Sequence, residues 1–117
     1  MFRMLEDVVQ SYSWPVKIEI PVDGGRYRDA DFQAVFQMLG QDEIDDIIRR
    51  IQDEDAQDED LANRLLIGWT GVVGKDGEAL AFSDDNRAAL LNVPYVRRAV
   101  LKAYLASMGG RKARQKN

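Results

Sequence analysis

Trp14-Pro15-Val16-Lys17-Ile18-Glu19-Ile20-Pro21-Val22 alternates with a period of two. Its even positions are all apolar, while Lys17 and Glu19 between them are charged. Alternation among β-branched residues marks a strand with one buried face. Pro15 and Pro21 have no N–H to give to a ladder, so the strand belongs at a sheet edge or pairs on one side only. Asp23-Gly24-Gly25 supplies turn chemistry after it. Phe32, Ala34, Phe36 and Met38 then alternate with Gln33, Val35 and Gln37, which predicts a second strand returning antiparallel to the first. The expected connection is longer than a tight turn, with Tyr27 and Arg28 extending the pairing.

Beyond the hairpin the period changes. Ile44, Ile47, Ile48 and Ile51 recur at i, i+3, i+4 and i+7 after Gly40-Gln41-Asp42-Glu43, the pattern of an amphipathic helix. Its first turns hold Asp42, Glu43, Asp45 and Asp46, where the helix dipole favours anions. After a polar connection over Asp53–Asp58, a second helix is expected from Asp58 to Ile67, presenting Leu61, Leu65 and Leu66 and stopping near Gly68. Asp76-Gly77 is a turn signal within a glycine-rich stretch too short on either side to define a hairpin. Ser83 is placed to cap a third helix, Asp84 to about Leu91, and Pro94 suits the first turn of a fourth. On that fourth helix Val96, Ala99, Val100, Ala103 and Tyr104 form a stripe, widened by Leu101, Leu105 and Met108.

The reading is therefore α+β, with an N-terminal β-hairpin followed by about four α-helices in one small domain over residues 1–108. Residues 109–117 read as a basic, disordered tail. A chain of 117 residues suits one domain, and 45% hydrophobic with 31% charged residues is a globular balance. Such a small domain buries a limited core, which favours self-association or a bound partner.

The chain has neither cysteine nor histidine. Disulfides and thiolate metal sites are thereby excluded, and the side chain most used for acid–base work near neutral pH is missing. Carboxylates, lysine and tyrosine remain, but no catalytic constellation is legible; the expectation is a protein that is not an enzyme and uses no cofactor. An EF-hand loop starting at Asp53 requires glycine at its sixth position and glutamate at its twelfth, where this chain has Asp58 and Arg64. A phosphate loop ending at Gly74-Lys75 requires glycine at position 69 and Ser or Thr at 76, where Trp69 and Asp76 stand. Neither site is expected, and no metal.

Charge is asymmetric. Ten acidic residues and two arginines lie between Asp42 and Asp60, whereas residues 111–117 carry four positive charges and no negative one. Four charges without interleaved aromatics on an acidic body do not make a nucleic-acid footprint. Charges at Arg3, Glu6 and Asp7 do not suit a signal peptide, and no apolar run is long enough to span a bilayer. The expected location is the cytoplasm, with no membrane or nucleic-acid partner.

Two stretches, Trp14 to Gly25 and Gly68-Trp69-Thr70-Gly71-Val72, combine with Asp76-Gly77 through Phe82-Ser83, Ala89 to Val96, and Ala103-Tyr104. Together they resemble the tail assembly chaperones of long, non-contractile-tailed phages and prophages, from about Trp14 to Met108. The Gly-Trp, Asp-Gly, Phe-Ser, Pro succession is its most specific part. The resemblance implies a non-catalytic assembly factor in the bacterial host cytoplasm. Such factors bind the tape measure protein, keep it soluble, and recruit tail tube protein; many have a longer, frameshifted product. Self-association would suit coating a long client. Tyr95, Val96, Val100, Leu101 and Tyr104 on the fourth helix are the candidate protein-interface residues, chosen by periodicity. The alternative is a structural phage component, such as a head–tail connector or minor tail protein.

Overall fold

A computed structural model describes residues 1–52 and 59–110, apart from the side chains of Arg50, Ile51, Glu59, Asp60 and Leu61. The alternating stretch forms β1 (Ser11–Val22), and the return strand forms β2 (Arg26–Gln37). They pair antiparallel in unbroken register from Ser11 opposite Gln37 to Val22 opposite Arg26. Only Asp23-Gly24-Gly25 connects them, so the connection is tighter than the sequence suggests. Gly24 and Gly25 make this possible by adopting φ of 84° and 73°, a region open to glycine at no steric cost. Tyr27 and Arg28 extend the pairing as expected, opposite Pro21 and Ile20.

The two prolines fall where the ladder can spare them. Met38 N–H donates to the Gln10 carbonyl at 2.9 Å. Counting along β1 in steps of two from that bond makes the even positions those that bond to β2. Pro15 and Pro21 are odd, so their missing donors lie on the outer edge of a sheet ordered β1-β2-β3. The even face is the apolar one: Val16 and Ile18 on β1, and Phe32, Ala34 and Phe36 on β2, are buried.

Five helical and strand elements follow: α1 (Gln41–Gln52), α2 (Glu59–Leu65), β3 (Leu66–Thr70), α3 (Asp84–Leu91) and α4 (Pro94–Met108). On α1, Ile44 and Ile47 are buried while Ile48 stays exposed. The polar connection expected at 53–58 and the basic tail over 111–117 lie outside the described residues.

β3 corrects the sequence reading, which extends the second helix to Ile67. The helix ends at Leu65, and the chain turns into a strand antiparallel to β2. Pairing here satisfies the second edge of β2, and the register shifts between Val35 and Phe36, skipping Ile67. That bulge lets Leu66 and Trp69 both face the core although they are three residues apart, which a regular strand forbids. Gly68 sits opposite Val35, where an added Cβ would lie 3.3 Å from the Val35 Cβ and Cγ2. A side chain at that crossing requires Val35 to give way by a few tenths of an ångström.

The loop after β3 is held by Leu80 N–H donating to the Val72 carbonyl at 2.8 Å and Gly74 N–H to Glu78 at 2.9 Å, around the Asp76-Gly77 turn. Ser83 caps α3, its Oγ accepting from Asn86 N–H at 3.1 Å. Pro94 opens α4 without a side-chain cap. Arg97 Nε, one turn into α4, donates to the Leu91 carbonyl at the end of α3 at 2.8 Å. The helices lie with the sheet's apolar face, and α4 runs along β1.

Candidate functional site

The fourth helix divides its surface between two tasks. Val96, Val100, Leu101 and Tyr104 are buried against the sheet and neighbouring helices, in one cluster with Val16, Phe36 and Leu91. Tyr104 shows how firmly this face is committed. Its ring meets Phe36 edge-on, with centroids 5.2 Å apart, and its hydroxyl accepts from Leu39 N–H at 2.9 Å. The same hydroxyl donates to the Gln37 carbonyl at 3.2 Å. Four of the five interface candidates therefore pack inside their own chain, because the stripe is the face that closes the sheet. A partner has to use other residues.

Tyr95 is only half-buried, but it too packs against this cluster and does not line the groove described next. Helical spacing of i, i+3 and i+7 places Ala99, Lys102 and Ala106 on one face of α4. That face, with Ala103 beside it, overlooks an open groove of about 650 Å³ between α4 and the hairpin. Trp14, Pro15 and Ile18 of β1 and Ala30 of β2 line its sheet side. Lys17, Glu19, Asp29, Asp31 and Lys102 also contribute to its lining. Trp14 is half-buried and packs against the core cluster, so one flank of the groove is supported from beneath.

The local sequence explains this groove. Alanines at 99, 103 and 106 are too short to fill the space between helix and strand, so α4 is held by its larger stripe while its neighbouring face stays open. Tyr12 fixes the far end: its hydroxyl donates to Ser107 Oγ at 2.7 Å, and that Oγ in turn donates to the Tyr104 carbonyl at 2.6 Å. Burial raises the proton affinity of the Tyr104 hydroxyl above the ordinary tyrosine value, with the Leu39 hydrogen bond opposing the shift. Burial does the same at Tyr12, against the opposing effect of Ser107. Both phenols stay neutral and serve as clamps. Among the described residues no polar or charged residue is buried, and no group of three or more carboxylates gathers as a metal site would require.

The motif residues behind the family resemblance have structural work of their own. Trp69 packs edge-on against Phe82, with centroids 4.9 Å apart, and its indole N–H donates to the Leu80 carbonyl at 2.8 Å. Arg87 lies over the Phe82 ring at 5.5 Å and donates to the Asn63 and Leu66 carbonyls at 3.0 and 3.2 Å. Trp69, Phe82 and Ser83 thus build the α2–β3–α3 corner, Asp76-Gly77 turns its loop, Pro94 opens α4, and none of them lines the groove. Periodicity found the helix that makes the groove and put Ala99 and Ala103 in its stripe, but the interface candidates included neither of them, nor Lys102 or Ala106. The available signal was the small size of Ala99, Ala103 and Ala106 among the larger residues of the helix.

Fold and groove together define an α+β protein with an open cleft between α4 and the hairpin. Comparison with protein families, curated proteins and solved structures finds no match for the chain. Among the described residues no helix is long and apolar enough to cross a membrane.

Proposed function

We propose that this protein is a phage tail assembly chaperone whose groove between α4 and the hairpin receives helical stretches of the tape measure protein. The observation that carries the reading is the groove itself, with an alanine-lined helix on one side, Trp14 and Ile18 on the other, and charged groups around it. The motif succession from Gly68 to Pro94 supports the family, and the groove supports the mode of action.

A tape measure protein is a long helical chain with apolar stripes that need cover before a tube encloses it. An amphipathic helix docks by laying its apolar face into such a groove. Alanine at 99, 103 and 106 lets a client backbone come close, near the lower end of the roughly 8–10 Å spacing of packed helices. Each large apolar client side chain moved out of water contributes about 1.5–3 kcal/mol, from which the cost of immobilising two chains is subtracted. A short groove therefore binds weakly at one site. Many copies on one long client raise the overall hold. The exposed carboxylates Asp42 and Asp45 on α1 keep the coated client soluble. Recruitment of tail tube protein belongs to the same proposal and requires a second surface.

The test is co-expression of this chain with a tape measure protein from the same phage or prophage. The expected result is a soluble tape measure protein that co-purifies with it. An insoluble tape measure protein and no complex would overturn the proposal. Finding this chain in purified particles would instead favour the structural-component reading.

A further inference from the structure

The ladder between β2 and β3 stops short of the hairpin's end. Its last register pair is Gln33 opposite Thr70. Gly71 then takes a φ of 87° and turns the chain away, and the Val72 carbonyl accepts from Leu80 N–H at 2.8 Å instead of from β2. Even positions of β2 bond to β1, so the N–H and C=O groups of Tyr27, Asp29 and Asp31 point to the side that β3 has left. These residues are exposed, and among the described residues no backbone hydrogen bond from a loop reaches that edge. The opposite edge of the hairpin is different. There β1 carries Pro15 and Pro21 at its outward positions, whereas residues 26–31 of β2 contain neither proline nor bulge.

We propose that this edge of β2 takes up an extended, basic segment of a partner protein as a further strand, continuing the line of β3. Two features of the edge select that occupant. Unmet N–H and C=O groups at strand spacing are matched by another extended backbone and not by a helix, whose own groups are already paired. The charge of the segment follows from the face these residues share. Glu19 stands directly opposite Asp29, at a position of the β1–β2 ladder without its own hydrogen bonds, where opposed side chains come closest. Like charges so placed repel, and neither carboxylate has an ion pair among the described residues. Lys17 stands opposite Asp31, which leaves Glu19 and Asp29 as the unbalanced pair. An antiparallel segment with a basic residue beside Asp29 relieves the repulsion while its main chain completes the ladder. The β2 strand of a second copy does the reverse. Joined edge to edge, the two strands keep the same face up, and carboxylates of one copy come beside those of the other.

Asp29 and Asp31 also line the groove, but α4 runs along β1, on the other side of the hairpin from this edge. The proposal therefore stands without the chaperone reading. Its test titrates the full chain with a short blocked peptide alternating lysine with valine, followed by amide NMR. The expected result is saturable binding that slows exchange of the Tyr27, Asp29 and Asp31 amides. In an antiparallel pair the residues beside Asp29 and Asp31 turn their own N–H groups to the edge. Methylating the backbone nitrogen of each lysine is thus expected to weaken binding about tenfold or more, and glutamate in place of lysine to do the same. Asp29→Pro repeats on β2 what Pro15 and Pro21 do on β1, and is expected to lose binding to a similar degree. If that variant fails to fold, Asp29→Asn and the methylated peptide separate the charge from the ladder. Ala103→Glu, in the groove, is expected to leave peptide binding unchanged, which keeps a failure here distinct from a failure of the chaperone reading. No binding, binding indifferent to backbone methylation or to the exchange of lysine for glutamate, or slowed exchange along α4 in place of β2 would each overturn the proposal.

Discussion

Replacing Tyr104 by phenylalanine tests whether the α4 stripe is committed to the core. The ring is fully buried at 0% exposure, and its edge-on contact with Phe36 survives the change. What disappears is one hydroxyl that serves two backbone groups, Leu39 N–H and the Gln37 carbonyl. The Leu39 bond is buried, so its amide loses its partner where water does not replace it. An unsatisfied buried donor costs about 1–3 kcal/mol, and the Gln37 carbonyl adds less because it is only partly buried. The expected loss is about 2 kcal/mol. For a domain near this size that corresponds to a fall of about 8 °C in Tm. Tyr12→Phe is the control. It removes a half-buried bond to Ser107, whose Oγ keeps its own bond to the Tyr104 carbonyl, and the expected cost is about 0.5–1 kcal/mol. Urea unfolding followed by the fluorescence of Trp14 and Trp69 reads both, with a lowered midpoint and an unchanged slope. A Tyr104→Phe loss below about 0.5 kcal/mol, or one no larger than that of Tyr12→Phe, would refute the reasoning.

The same two phenols set an alkaline limit. Unfolded tyrosines lose their protons near pH 10, whereas burial holds those of Tyr12 and Tyr104 to higher pH in the folded chain. Their contribution is therefore complete below about pH 10 and is lost as pH rises from there through the raised folded values. Stability curves of parent and Tyr104→Phe should converge over that range, and parallel curves would contradict the assignment. Gly68→Ala should destabilise by about 1–3 kcal/mol through its contact with Val35, and Val35→Ala should recover part of that loss; additive losses in the double variant would remove the explanation. Ser83→Ala should cost about 1 kcal/mol through loss of the α3 cap, with an unchanged Tm as the opposing result.

Particular residues show why some of this was legible and some was not. Val16, Ile18, Phe32, Ala34 and Phe36 share one face of a regular ladder, so period-two alternation maps directly onto burial. Pro15 and Pro21 marked the outer edge because a missing N–H has only one place to go. Ser83 and Pro94 are local signals, read within one turn of helix. β3 was hidden because its bulge breaks the alternation on which strand recognition depends, bringing Leu66 and Trp69 to one side. The stripe on α4 was found, but periodicity cannot tell a face that meets its own sheet from one that meets another molecule. That choice was settled by the packing of Phe36 and Leu39 against Tyr104, tertiary contacts far apart in the chain. The groove itself comes from the small size of Ala99, Ala103 and Ala106, a feature of volume that hydropathy patterns pass over.

Hydrogen exchange of the co-purified complex with the tape measure protein bears most directly on the proposed function. The account predicts that binding slows exchange along β1 from Trp14 to Glu19 and along α4 from Ala99 to Ala106, with the α2–β3–α3 corner unchanged. Slowing confined to that corner or to α1, with the groove unaffected, would contradict it.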